Sequence, residues 1–395
     1  MTTQPQQHGI ELLVIQPTPF CNLDCSYCYL PHRSSTRRIS PEVLRRTFER
    51  VFASRYARGA FTVVWHAGEP LVMPVSFYRE AFALIDELNS EGLDVSHSFQ
   101  TNGTLIDPSW CELIARHHVR LGVSVDGPAF LHDARRKTRS GQGTHERVMR
   151  GIRCLQEHGI DFHVISVLTR EALDYPDALF QFFVENGIRR VGFNIEEIEG
   201  VNAASSLAAE QSFERVRSFF TRFLELTLES GERLEVREFA GLGKLILESS
   251  CFADRNQENT PMRILNVDWT GNFSTFSPEL LGVESGLYGD FLLGNVLRDE
   301  LDTVESTPKF QRIYGDIETG IAECRRTCEY FGLCGGGSPS NKYFENGSLR
   351  STETLHCRLS KKAIAEVTLA SLETSLELAR SPSSRTHPPL GSAPP

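Results

Sequence analysis

Seven of the ten cysteines fall into two groups whose spacing suits iron–sulfur chemistry. Cys21, Cys25 and Cys28 form a C-x3-C-x2-C run just beyond an apolar N-terminal segment. Cys324, Cys328, Cys334 and Cys357 gather near the far end. Three thiolates fill three corners of a [4Fe–4S] cube and leave one iron open to an outside ligand, whereas four thiolates close a second cube. Zinc is the alternative at each group, but three cysteines with no well-spaced fourth Cys or His suit closed structural zinc poorly. His8 and His32 are the nearest imidazoles, and neither has favourable spacing.

These residues need a scaffold, and the sequence describes one. The 395 residues carry 40% hydrophobic and 23% charged side chains, the balance of an ordinary globular protein with room for one large domain and a smaller one. No apolar run approaches the ~20 residues that cross a bilayer. A formal net charge of −10 without a long basic block argues against nucleic acid as a partner. No basic flank precedes an apolar core at the N-terminus, so the expectation is a cytoplasmic protein whose clustered cysteines bind metal rather than pair as disulfides.

From residue 11 onward, short apolar strands alternate with amphipathic helices. Strands are expected at Glu11–Ile15, Phe61–Trp65, Val95–Gln100, Leu121–Val125, Phe162–Val167 and Arg190–Ile195. Helices are expected at Pro41–Ala53, Val75–Leu88, Pro108–His117, Thr144–His158 and Tyr175–Glu185. Six strands in this alternation imply right-handed crossovers and a mostly parallel sheet, with ligands at the C-terminal strand ends. The fold class is therefore α/β, a partial (β/α)6 TIM-like barrel with a C-terminal iron–sulfur domain. Ser212–Leu228 reads as a bridging helix and Val267–Phe276 as a hairpin turning at Thr270-Gly271-Asn272. Residues 320–350 are dense in Cys and Gly and poor in periodicity, so a metal is expected to organise them. Leu359–Ala379 reads as a final helix. The expected division is a flexible 1–10, a barrel at 11–205, bridging helices at 206–262, an auxiliary-cluster domain at 263–360, a helix at 361–380 and a disordered Pro/Ser-rich tail at 381–395.

The triad with Tyr27 before its last cysteine resembles the radical S-adenosylmethionine (AdoMet) superfamily. That resemblance implies that the open iron chelates AdoMet and that an electron from the cluster yields a 5′-deoxyadenosyl radical, which abstracts a substrate hydrogen. Ala67-Gly68-Glu69-Pro70 resembles the GGEP motif, with Ala at its first glycine, and implies that Glu69 holds the methionine ammonium. Ser124-Val125-Asp126-Gly127 resembles the segment that touches the AdoMet ribose and carboxylate. Gln100-Thr101-Asn102-Gly103 ends a strand facing the same place, with Asn102 a cofactor contact. His132-Asp133-Ala134-Arg135-Arg136 resembles an HDxxR element with Arg136 as the anion contact.

The far cysteines resemble the C-terminal SPASM extension, whose full pattern has seven cysteines and two auxiliary clusters. Here Phe276 and Ser338 stand at two cysteine positions assigned to the inner cluster, so the resemblance implies one auxiliary [4Fe–4S] cluster held by Cys324, Cys328, Cys334 and Cys357. Cys111 and Cys154 read as small core residues, and Cys251 as a buried residue of a loop. Candidate substrate contacts are Asn194, Glu196, Glu197, Glu238 and Asp268, and Glu279 is a candidate proton acceptor. Trp65–Pro70, Asn194–Gly200, Gly271–Phe276 and Cys328–Gly337 together resemble the glycine-rich-repeat (GRRM-type) peptide maturases. This implies modification of a ribosomally made peptide, with a flavodoxin- or ferredoxin-like one-electron reductant as partner. A radical AdoMet enzyme acting on a sugar or nucleoside, and a non-enzymatic iron–sulfur carrier or sensor, are the competing readings.

Overall fold

The predicted strands of the first half are seated in two ways: Phe61–Trp65, Val95–Thr101 and His163–Leu168 alternate buried and partly exposed side chains, whereas Leu12–Ile15, Arg120–Ser124 and Arg190–Ile195 carry continuous buried runs. In Phe61–Trp65, for example, Phe61, Val63 and Trp65 are buried while Thr62 and Val64 are partly exposed. The computed structural model describes residues 8–231, 233–247 and 253–380. Its strands are β1 (Leu12–Ile15), β2 (Phe61–Trp65), β3 (Val95–Thr101), β4 (Arg120–Ser124), β5 (His163–Leu168), β6 (Arg190–Ile195), β7 (Glu235–Val236), β8 (Ile264–Val267), β9 (Asn272–Thr275) and β10 (Gly294–Asn295). Neighbours β1 to β7 pair in parallel and in sequence order. This is the α/β, partial-barrel arrangement expected, extended by the short seventh strand.

The helices that cross between strands are α1 (Pro41–Ala53), α2 (Val75–Leu88), α3 (Pro108–Arg116), α4 (Ala129–Arg135), α5 (His145–Glu157) and α6 (Pro176–Glu185). Local chemistry sets their starts. The Ser40 hydroxyl accepts from Val43 N–H at 3.1 Å ahead of Pro41, and the Asp107 carboxylate accepts from Ser109 and Trp110 N–H ahead of Pro108. Beyond β6 come α7 (Ser212–Glu229), α8 (Arg237–Leu247) and α9 (Pro308–Thr327).

The C-terminal region is sewn into the same sheet. β8 pairs in parallel with β1, from Leu12↔Ile264 to Ile15↔Val267, and β9 and β10 continue antiparallel from it. The hairpin turn is fixed by Asp268, whose carboxylate accepts from Thr270 N–H at 2.7 Å and Asn272 N–H at 3.0 Å.

Two helices exceed the sequence reading. α9 begins well before residue 320 and buries Phe310, Ile313, Ile317, Gly320, Ile321 and Cys324. That stripe has helical spacing, but a glycine and a cysteine hold two of its positions, which hides it from a hydrophobic pattern. α8 lies within 206–262, where bridging helices are expected but only Ser212–Leu228 is given bounds. Cys251 lies outside the described residues.

Candidate active site

The loop leaving β1 is held from two sides. Asp24 N–H donates to Lys137 O at 2.7 Å and Ser26 N–H to Arg135 O at 3.1 Å, so the segment after α4 anchors the triad. Arg33 donates to Cys25 O at 3.2 Å and pairs with Asp24 at 3.1 Å. Asn102, at the end of β3, donates to Asn22 Oδ1 at 2.8 Å and reaches Cys21 Sγ at 3.8 Å. The barrel therefore positions all three cysteines from the C-terminal ends of its strands.

Burial pushes the Cys21 thiol up to about 12 and the Cys25 thiol up to about 11, with Glu69 next in effect at Cys21. Such thiols stay protonated unless cationic metal replaces the protons, which is the donor chemistry of an iron–sulfur site. A single zinc would draw sulfurs to ~3.8 Å of one another. Among the described residues, the only side chains whose ligand atoms gather in threes within 4.8 Å are Cys111, Cys154 and His158. Neither predicted cysteine group has that tight form.

Around the triad, the motif residues are locked to one another. Asp126 receives Arg136 Nε at 2.9 Å and Nη2 at 3.0 Å, the Tyr27 hydroxyl and Val167 N–H at 2.9 Å. The pair is almost fully buried, and Arg136 holds the Asp126 carboxyl below the ordinary range against its desolvation. Glu69 is 1% exposed and accepts from Thr101 Oγ1 at 2.6 Å, Asn102 N–H at 2.8 Å and Leu71 N–H at 2.9 Å. Burial raises its carboxyl to about 7. Ala67 and Gly68 both adopt positive φ, 66° and 63°. A Cβ on Gly68 would fall 2.4 Å from Thr18 O, so only glycine fits there.

A cavity of about 800 Å³ opens in front of this assembly. Cys25, Cys28, Tyr27, Ser124 and Arg136 form one wall. Asn194, Glu196, Glu197 and Glu238 also line it, as does Glu279. Asn194 accepts from Arg237 at 3.0 Å, and Glu238 accepts from Phe193 N–H at 3.1 Å, so both tie β6 to α8. Ala67, Gly68, Glu69, Pro70, Asn102 and Cys21 stand off the wall and support it. Asp268 is not brought to the cavity: the hairpin turn uses its carboxylate, because Asp-x-Thr-Gly-Asn is turn chemistry before it is recognition chemistry.

The cavity also gathers Glu199, Glu258, Ser340 and Asn341, none of them among the candidate substrate contacts. Ser340 donates to Glu199 at 2.7 Å, Asn341 bridges Glu197 at 2.8 Å and Glu199 at 3.0 Å, and Ser277 donates to Glu258 at 3.1 Å. Ser338, at one lost cysteine position, lies 2.9 Å from Ser277 Oγ and 2.8 Å from Ser340 Oγ. Phe276, at the other, is buried and stacks on Phe310 and Tyr314 with centroids 6.0 and 6.2 Å away. A serine network and an aromatic stack thus fill the two lost ligand positions. Burial and the Glu258 charge raise the Glu279 carboxyl to about 8, and Glu199 is raised well above its usual range. The Asn194–Gly200 resemblance ran through Glu199, and serines spaced around the glycine run were the available clue to the rest.

Cys324, Cys328, Cys334 and Cys357 line a second, small cavity with Gly336, Gly337, Lys342 and Lys362. Gly335 has φ 60°, and a Cβ there would lie 2.5 Å from the Arg255 backbone. The buried Lys342 ammonium sits beside Cys324 and offsets thiolate charge. Four sulfurs, flexible glycine backbone and two cations fit a closed [4Fe–4S] cluster.

Comparison with known proteins places this geometry. The model of the Radical SAM superfamily matches residues 15–183. The chain is 49% identical to uncharacterized protein sll1766 of Synechocystis sp. over 93% of each chain. It is 25% identical to a cysteine-type anaerobic sulfatase-maturating enzyme of Clostridium perfringens, over 83% of this chain and 88% of that one. A serine-type anaerobic sulfatase-maturating enzyme of Klebsiella aerogenes is 34% identical over 46% of this chain and 45% of its own. Among solved structures, anSMEcpe with bound AdoMet and Cp18Cys peptide superposes with a TM-score of 0.76 at 23% identity, over 93% of this chain and 99% of that chain. Streptococcus suis SuiB bound to its precursor peptide SuiA gives a TM-score of 0.61 at 16% identity, over 88% and 76%.

Proposed function

Because the chain belongs to the radical S-adenosylmethionine superfamily, we propose that it is an enzyme that modifies a side chain within a ribosomally made peptide, forming a C–C or C–heteroatom bond. Cys21, Cys25 and Cys28 would hold the open cluster, and Cys324, Cys328, Cys334 and Cys357 the auxiliary one. When bound, the open cluster and AdoMet supply a 5′-deoxyadenosyl radical that takes a hydrogen atom from the substrate. Ser124 and Arg136 face the cofactor side of the cavity, and Tyr27 and Asp126 keep Arg136 in place. Glu69 fixes the ends of β2 and β3 and, with Ala67, Gly68, Pro70 and Asn102, shapes the cofactor pocket. Glu196, Glu197, Asn194 and Glu238 line the substrate side, and Glu279 would take the proton released as the new bond closes, with the accompanying electron left to the auxiliary cluster that Cys324, Cys328, Cys334 and Cys357 would hold.

One observation carries the peptide reading. The cavity, about 800 Å³, holds the triad wall and a polar wall from the C-terminal region in a single space. That volume is near the upper end of about 300–1,000 Å³ for small-ligand pockets, enough for AdoMet together with an inserted side chain. The likeness to sulfatase-maturating enzymes, whose names specify a protein substrate, favours the same class. The motifs around Trp65–Pro70 and Cys328–Gly337 favour the GRRM-type maturases within it. A flavodoxin- or ferredoxin-like protein is the proposed electron donor, and the cytoplasm the proposed compartment. Among the described residues no helix is long and apolar enough to cross a membrane.

The test is anaerobic incubation with AdoMet, dithionite and the peptide encoded by a neighbouring short reading frame. The expected result is 5′-deoxyadenosine together with a peptide lighter by two hydrogens per new bond. A triple Cys21/Cys25/Cys28→Ala variant should form neither. 5′-Deoxyadenosine formed without peptide change, but with turnover of sugars or nucleosides, would replace the peptide reading with the small-molecule one.

A further inference from the structure

Three soft or borderline donors converge outside both cavities. Cys111 lies on the buried face of α3. Cys154 lies on α5, and His158 caps the C-terminus of that helix four residues later, on the same face. Cys111 Sγ and Cys154 Sγ are 3.6 Å apart, and Cys154 Sγ lies 3.9 Å from His158 Nδ1. All three ligand atoms fall within 4.8 Å of one another. Around tetrahedral zinc, with Zn–S of about 2.3 Å and Zn–N of about 2.0 Å, neighbouring donors stand ~3.5–3.8 Å apart. The three atoms therefore already occupy nearly the corners of such a site.

We propose that Cys111, Cys154 and His158 form a binding site for a thiophilic cation of the zinc class, clipping α3 to α5 on the outside of the barrel. His158 is exposed, so the fourth position faces water and the ion has an entry path. The Asp107 and Glu157 charges act on Cys111 and make the neighbourhood attractive to a cation. In the metal-free arrangement His158 Nδ1 lies 2.8 Å from Cys154 O and shares its proton with that carbonyl. A zinc ion replaces the protons of the two thiols, and the His158 ring proton moves from Nδ1 to Nε2 so that neutral Nδ1 binds the ion. Packing of two small thiols between helices requires no imidazole, and a disulfide would leave His158 without a part while drawing the sulfurs to about 2.05 Å.

The experiment uses the anaerobic holoenzyme with both clusters in place and zinc alone as the probe. Protein equilibrated with zinc under reducing conditions is passed over chelating resin, and zinc and iron are counted together. The wild type should retain about one zinc per chain, with a zinc-edge absorption spectrum showing two sulfur and one nitrogen ligands. His158→Ala and Cys154→Ser should each lose that zinc with iron content unchanged. The exposed His158 variant guards against misfolding as the cause. Zinc retained equally by both variants, no zinc taken up by the reduced wild type, or a spectrum without sulfur ligands would overturn the site. So would an as-isolated Cys111–Cys154 disulfide in protein that binds no zinc after reduction.

Discussion

At the scale of single residues, charge compensation decides what the site tolerates. Asp126 and Arg136 are nearly water-free, and each is the other's neutralising partner. Asp126→Asn leaves a buried guanidinium uncompensated, and breaking such a pair costs about 3–5 kcal/mol. Chemical denaturation of the anaerobic protein should show that loss at neutral pH. Because Arg136 depresses the Asp126 carboxyl, the stability it contributes in the wild type is present above the ordinary carboxylate range and disappears as pH falls. The Asn variant should accordingly lack that part of the acid-side slope. Glu279 has the opposite sign. Its carboxyl is raised to about 8, so its neutral form favours the fold at low pH and that contribution is lost as pH rises through about 8. A proton acceptor must be ionised, so substrate turnover should climb over the same interval while stability falls. Glu279→Gln should flatten the climb and lower the plateau by about 10²-fold or more, the usual weight of general base catalysis. A pH–rate profile that keeps its shape in the variant removes Glu279 from the chemistry.

At the scale of elements, the lost inner-cluster positions show what replaces a ligand. Phe276 stacks with Phe310 and Tyr314, so the end of β9 is held to α9 by apolar packing. Phe276→Ala should cost about 3–5 kcal/mol through the cavity it opens. Iron should remain at about eight atoms per chain, the content of two [4Fe–4S] clusters, which calorimetry and metal analysis check together. An iron loss in step with the stability loss would mean that Phe276 supports a cluster directly. The same elements show what the sequence could disclose. β1 to β6 and α1 were legible because capping residues and short apolar or alternating runs mark them: Ser40-Pro41 marks one boundary, Phe61–Trp65 alternates cleanly and Leu12–Ile15 is a continuous apolar run. The grouping of Cys21, Cys25 and Cys28 on one loop was legible from spacing, whereas Asp126 and Arg136 were singled out only by the family resemblance, and their mutual pairing was not foreseen. α9 was not, because its buried stripe passes through Gly320 and Cys324. Nor were Ser340 and Glu258, whose meaning arises only when distant segments meet at one cavity. Asp268 misled for a related reason: an Asp near a hairpin bonds its own turn before it meets a substrate.

At the scale of the whole molecule, two attachments of unequal kind hold the C-terminal region. One is permanent: β8 beside β1, with Arg263 paired to Glu11, Arg50 to Glu300 and Arg55 to Glu305. The other joins Ser340 and Asn341 to Glu199 and Glu197 from residues 328–357, which contain only short helices between the four cysteines and are expected to need the auxiliary cluster for their order. Removing one auxiliary ligand should therefore loosen the second attachment and spare the first. In Cys334→Ala, about half the iron should be lost, and hydrogen exchange should accelerate between residues 328 and 357 while β1 to β6 keep their protection. Ser338, Ser340, Asn341 and His356 reach the cavity from that loosened segment, whereas Cys25, Cys28, Ser124 and Arg136 reach it from the barrel. The two halves of the reaction should then separate. AdoMet cleavage to 5′-deoxyadenosine should persist within a few-fold, and peptide modification should fall by at least about 10², because positioning is lost while the initiating chemistry remains. If both activities fall together, the auxiliary cluster serves the barrel site itself, and the C-terminal region is more than the far wall of the cavity.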